Sequence, residues 1–172
     1  MSDVDDHQKE CHPLKYHLSP EIETLQGAFS REFAPVLTIL PGDSVQYSTL
    51  DSGWGLEAPN IDWSPRRKFP SLEKWNGHAL VGPVAIAGAR PGMTLAVKIE
   101  RIVPGAYGYT FAAGWPHTVN RKLGLSARKH GVIHVWELDA AAGLGKNQHG
   151  HTVTLHPFMG IMGMPPDLPG EH

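Results

Sequence analysis

Cysteine is almost absent from this chain, with Cys11 the single example in 172 residues. One thiol excludes an internal disulfide and fits a reducing compartment. Long hydrophobic runs are missing too. The longest, residues 79–89, is broken by Gly82 and Pro83 and is too short to span a bilayer. The first residues, Met-Ser-Asp-Val-Asp-Asp-His, are acidic and polar, unlike a secretory signal. Charge of one sign is scarce: the formal net charge is −2, which offers little attraction to nucleic acid or an anionic membrane. These absences predict a soluble, cytoplasmic protein with neither of those partners. Several catalytic signatures are also lacking. There is no Gly-x-Ser-x-Gly elbow and no His-Glu-x-x-His, and Gly143-Leu144-Gly145-Lys146 has the spacing of neither phosphate-binding loop. Cys11 and His12 are adjacent, so they do not face each other as nucleophile and base. Any hydrolysis would rest on carboxylates, histidines and a metal-held water.

What the chain does have is glycine and proline, 19 and 15 of them, spread throughout. With 41% hydrophobic residues, this pattern predicts many turns between short strands. The expected fold is mainly β: a sandwich or barrel-like domain of short antiparallel strands, long irregular loops and little helix. It would occupy residues 14–172 behind a flexible tail at 1–13. The clearest local signal is residues 78–99. Pro91-Gly92 suits a type II turn, flanked by apolar β-formers at 84–89 and 94–99, and Gly82-Pro83 bends the chain just after His78. Residues 36–40, Pro41-Gly42-Asp43 and residues 44–50 repeat the same hairpin chemistry.

Further strands are expected at 14–18, 24–33, 132–138 and 151–156. Residues 51–77 form a long connection holding Trp54, Trp63 and Trp75, with a helical turn at 71–75. Residues 105–116 suggest an irregular crossing, 120–130 a basic solvated loop, and 140–146 a turn. The run 158–164, Phe-Met-Gly-Ile-Met-Gly-Met, is too apolar to stand free and expects a partner surface, so self-association is anticipated.

Eleven histidines are the compositional oddity. His149 and His151 share one face if extended, a spacing that serves metals in β proteins. Two polar residues on a wet face beside Gly150 is the plainer alternative. His134 and His156 are possible companions in space. Asp51 lies where a strand enters the long loop, a position suited either to a site carboxylate or to a turn-capping aspartate. His78, before the Gly-Pro bend, carries the same two alternatives.

Three ordered blocks resemble the acetamidase/formamidase family. The first is Pro35-Val36-Leu37 with Gly42-Asp43-Ser44-Val45 and Thr49-Leu50-Asp51. The second runs from His78-Ala79-Leu80-Val81-Gly82-Pro83 through Gly88-Ala89-Arg90-Pro91-Gly92-Met93. The third is Pro157-Phe158-Met159-Gly160-Ile161-Met162-Gly163-Met164-Pro165-Pro166. Val81 stands where the family usually has threonine, and Met93 where it has aspartate. The resemblance implies hydrolysis of short linear amides, formamide or acetamide, to carboxylate and ammonia. It places Asp51 and His78 in the centre as catalytic residues and as ligands of a divalent metal, zinc; the His-x-His spacing offers His149 and His151 as alternative ligands apart from the resemblance. It gives Phe158 and Gly160 to the substrate. Family members continue into Gly-Gly-Asn-x-Asp and Gly-Asp-x-His segments that are absent here. The chain therefore looks like an N-terminal portion, expected to work as a homo-oligomer or with a second polypeptide that carries the missing motifs. A non-catalytic subunit with the family fold is the alternative.

Overall fold

The structure, a computed structural model, describes residues 13–70, 77–112, 117–125 and 131–172. It is mainly β. Among the described residues there are ten short strands and one five-residue helix: β1 Lys15–Leu18, β2 Leu25–Gln26, β3 Leu37–Ile39, β4 Ser44–Tyr47, β5 Leu80–Val81, β6 Val84–Ile86, β7 Tyr107–Ala112, α1 Thr118–Lys122, β8 Val132–Asp139, β9 Leu144–Asn147 and β10 Thr152–Thr154. β7 to β10 make a four-stranded antiparallel sheet in the order β10-β9-β8-β7, and the other strands form three separate pairs, β1-β4, β2-β5 and β3-β6.

The expected hairpins are instead corners. Both Pro-Gly turns form, with φ of +96° at Gly42 and +90° at Gly92, a region that glycine enters without a Cβ clash. Yet β3 and β4 do not pair with each other. β3 lies parallel to β6, Leu37 opposite Val84 and Ile39 opposite Ile86, while β4 lies parallel to β1, Lys15 opposite Ser44. Parallel neighbours need a long crossover, which the intervening residues supply. The strand expected at 94–99 is absent, and β6 takes β3 as its neighbour in that strand's place.

Other boundaries shift for physical reasons. The strand expected over 24–33 shrinks to β2, because the chain turns at once, with Phe33 N–H donating to Ser30 C=O. The crossing expected over 105–116 is β7: Tyr107, Tyr109 and Phe111 alternate with Gly108, Thr110 and Ala112, the period of a strand. The turn over 140–146 gives way to β9 at Leu144, where Gly145 lets Leu138 and Val153 pack close against the backbone. Part of the basic loop at 120–130 is α1, N-capped by His117. The helical turn proposed at 71–75 and nearly all of the tail at 1–13 lie outside the described residues.

The core is small. Among the described residues the buried hydrophobic side chains are Leu25, Trp54 and Ile133. Met93, Leu95, Val97, Ile99 and Val103 line an exposed ribbon, and the run from Phe158 to Met164 is exposed as well.

Candidate active site

Asp51 ends the reach of chain after β4, and among the described residues its carboxylate is the most heavily engaged. Oδ1 accepts from the amides of Gly53 at 2.8 Å and Gly55 at 3.1 Å. Arg66 grips it in bidentate fashion, Nη1 to Oδ2 at 2.7 Å and Nη2 to Oδ1 at 3.0 Å. The Tyr107 hydroxyl donates to Oδ2 at 2.9 Å, with the Tyr109 hydroxyl 3.5 Å from Oδ1. Tyr107 and Tyr109 are two apart on β7, so both rings leave one face of the sheet. Arg66 also donates to Glu57 C=O at 2.9 Å and lies over the Tyr109 ring, 5.1 Å from its centre. Both side chains of the ion pair are largely sheltered, 9% exposed for Arg66 and 17% for Asp51. A Cβ on Gly55 would strike Arg66 Nη1 and Asp51 Oδ2, so the pair itself requires glycine there.

Burial alone would push the Asp51 carboxyl up. The hydrogen bonds from Arg66, Gly55, Tyr107 and Gly53 outweigh it and hold the group below the usual aspartate value. The Tyr107 hydroxyl moves the other way. Burial first, then its bond to the Asp51 charge, push it up to about 12, so it stays a neutral donor.

The loop so held reaches His78 from two sides. Trp54 has φ of +63°, unusual for a bulky residue, and its indole Nε1–H donates to Gly77 C=O at 2.8 Å. His78 Nδ1 lies 3.3 Å from Ser52 C=O. A carbonyl only accepts, so Nδ1 carries a proton, and in the neutral ring the lone pair lies on Nε2. Among the described residues Nε2 makes no hydrogen bond. His78 lines a cavity of about 330 Å³ with Phe29, Leu80, Ile161, Glu171 and His172. Paired backbone bonds between Phe29 and His172, 3.0 and 2.9 Å, hold the far end of the chain against this cavity. Asp51 and His78 thus meet in one neighbourhood, linked through Ser52.

The remaining candidates lie elsewhere. Phe158 is 81% exposed and, with Gly160, stands outside the cavity, although the next residue, Ile161, lines it. His149 and His151 do meet, ring centres 6.2 Å apart, and His134 joins them at 5.3 Å from His149. Buried Asn147 organises this group. Its Oδ1 accepts from the amides of His149 and His151, both at 3.0 Å, which turns Nδ2 toward Nδ1 of His134 and of His151, each at 3.4 Å.

Among the described residues neither group by itself assembles a zinc site. Every lone pair of Asp51 that faces the protein already has a donor, and a guanidinium stands where a cation would. For His134 and His151, Nδ1 accepts from Asn147, which leaves the proton on Nε2. Among the described residues no set of three or more His, Cys, Asp and Glu side chains is arranged to hold a metal ion.

Arg66, Tyr107, Tyr109, Trp54 and Glu171 are absent from the sequence-based candidates. The two-residue spacing of Tyr107 and Tyr109 is the one local signal that pointed toward them.

A β-rich chain with this cavity beside a clasped histidine is compatible with a small-molecule enzyme. The acetamidase/formamidase family pattern matches residues 17–169. The chain belongs to that family. A crystal structure of an acetamidase from Bacillus halodurans has a similar fold, with a TM-score of 0.58 and 20% sequence identity. The similarity covers 90% of this chain and 47% of the acetamidase, so the chain spans about half the length of that protein. No curated protein matches the chain. Among the described residues no helix is long and apolar enough to cross a membrane.

Proposed function

We propose that this chain contributes to hydrolysis of short linear amides, formamide or acetamide being the smallest, with His78 as general base. The observation that carries the reading is the state of His78: its Nδ1–H is held by Ser52 C=O, its Nε2 has no partner among the described residues, and the ring lines a cavity. An imidazole so held can accept a proton from water as the water oxygen bonds to the amide carbon. The same proton then passes to the leaving nitrogen as the carbon–nitrogen bond breaks, giving carboxylic acid and ammonia. Family membership supports the reaction class.

One observation favours a second reading, a subunit that turns over nothing alone. The exposed apolar ribbon that includes Met93, Leu95, Val97, Ile99 and Val103 suits either a second copy or a second polypeptide. Ammonia release from formamide and acetamide, measured with the chain alone and with any companion polypeptide present, separates the two. Catalysis is expected to fall about 100-fold or more in His78→Ala. No ammonia under either condition rejects the amidase reading.

A further inference from the structure

We propose that Asp51 is a positioning residue for His78, acting through the loop it clasps rather than by touching substrate or metal. The proposal rests on the reading of His78 as the base. Its geometry is a chain of three links. First, Asp51 Oδ1 gathers the amides of Gly53 and Gly55, while Arg66 and Tyr107 fix the carboxylate against the sheet. Second, this wraps residues 52–55, with Trp54 at φ of +63°, in the left-handed region that a bulky side chain enters uncommonly. Third, the wrapped loop presents two groups to the same dipeptide: the Trp54 indole N–H to Gly77 C=O, and Ser52 C=O to His78 Nδ1. One contact sets the backbone that carries the histidine. The other sets its tautomer.

The charge arrangement fits positioning. Arg66 neutralises Asp51 at 2.7 Å, and the contact that reaches His78 is made by the neutral carbonyl of Ser52. The histidine–carbonyl contact does for His78 what an acidic partner does elsewhere: it leaves the proton on Nδ1 and the lone pair on Nε2.

Nitrogen-15 NMR of the histidine rings tests this, because the Nδ1 and Nε2 shifts of a neutral imidazole report which nitrogen carries the proton. In the unaltered chain His78 is expected as the Nδ1–H tautomer. In Asp51→Asn it is expected to shift toward a mixture rich in Nε2–H. The rings of His134, His149 and His151, which belong to the Asn147 cluster, should stay unchanged and so report an intact fold. Should Asp51→Asn fail to fold, Trp54→Phe, which keeps an aromatic ring but removes the indole donor to Gly77, is expected to loosen the His78 tautomer in the same direction. An unchanged His78 tautomer in the folded Asp51→Asn chain, or in Trp54→Phe if that variant decides, overturns the proposal. The readout needs no turnover. A tautomer shift with no ammonia released by the unaltered chain, either alone or with a companion polypeptide, would sink the amidase reading and leave the positioning role standing.

Discussion

Two Pro-Gly corners turn this chain, and their backbones are nearly the same. Gly42 and Gly92 have φ of +96° and +90°, and each turn is closed by a 3.1 Å bond, Asp43 N–H to Leu40 C=O in one and Met93 N–H to Arg90 C=O in the other. Beyond the glycines the two segments diverge. After the first corner the chain enters β4 and pairs with β1. After the second it runs from residue 94 to 105 with no backbone hydrogen bond to any described residue. The side chain after the glycine is the local difference. Asp43 caps the corner, Oδ2 accepting from Leu40 N–H at 2.9 Å, and ties in a distant strand, Oδ1 accepting from Leu14 N–H at 2.8 Å. Met93 has no oxygen to offer and is 61% exposed. A turn sets direction; a carboxylate beside it recruits the neighbour. Asp51 shows the same device at larger scale.

The largest effect should come from breaking that larger device. Arg66→Met removes the cation from a sheltered pair and leaves the Asp51 carboxylate without its charge partner. Loss of one member of such a pair is expected to destabilise by about 3 kcal/mol. Urea unfolding at neutral pH, followed by tryptophan fluorescence, measures it. A loss under about 1 kcal/mol would mean that the carboxylate-tied regions hold no better than the free ribbon, on the scale of an exposed ion pair.

Acid should reach the same clasp by titration. The Asp51 carboxyl is held below its ordinary value in the fold, so the unfolded chain takes up the proton first as pH falls. The stability from this group is therefore complete above the unfolded value of about 3.9 and lost as pH descends from there toward the folded value. A series of urea midpoints from pH 7 to 3 should fall in that window. The fall should be shallower in Arg66→Met, whose Asp51 loses the largest of the hydrogen bonds that depress it while keeping those from Gly55, Tyr107 and Gly53. Equal slopes in the two proteins would assign the acid sensitivity to other carboxylates.

Asp43→Ala tests the first corner directly. Two amides lose their acceptor, and the expected loss is about 1–2 kcal/mol. Because Gly42 and the turn bond remain, the corner itself should persist. Hydrogen exchange should quicken at Leu14 and Leu40 while Asp43 N–H, bonded to Leu40 C=O, stays protected. If exchange is unaltered at Leu14, the carboxylate is not what recruits β1.

These contrasts also explain how much of the molecule was legible in its sequence. The Pro-Gly turns were, since proline and glycine act on their own φ angles. So was the β character of residues 37–39, 84–86 and 132–138. Pairing partners were not, because the choice of β6 over β4 as the neighbour of β3 depends on surfaces far apart in the chain (Leu37 with Val84 begins the register). β7 was hidden by its glycine, although the alternation of Tyr107, Tyr109 and Phe111 was there to be read. For the site, sequence placed Asp51 and His78 in view. It did not show that Arg66 and Tyr107 occupy the carboxylate, since those partners stand 15 and 56 residues away.

The smallest expected effect is on the ribbon after the second corner. Val97 is 51% exposed, and its amide and carbonyl bond to no described residue. Val97→Lys therefore removes little from the folded chain, and its stability should stay within about 0.5 kcal/mol of the original. Association is where the change should register. An extended, alternating apolar stretch with unpaired backbone groups is a template for another strand, and a lysine on it opposes pairing. In sedimentation velocity over a concentration series, the original chain should shift toward larger species and Val97→Lys should shift less. A drop in stability of more than about 1.5 kcal/mol would instead mean that Val97 is packed within its own chain, and that Met93 leaves this segment better held than the comparison with Asp43 implies.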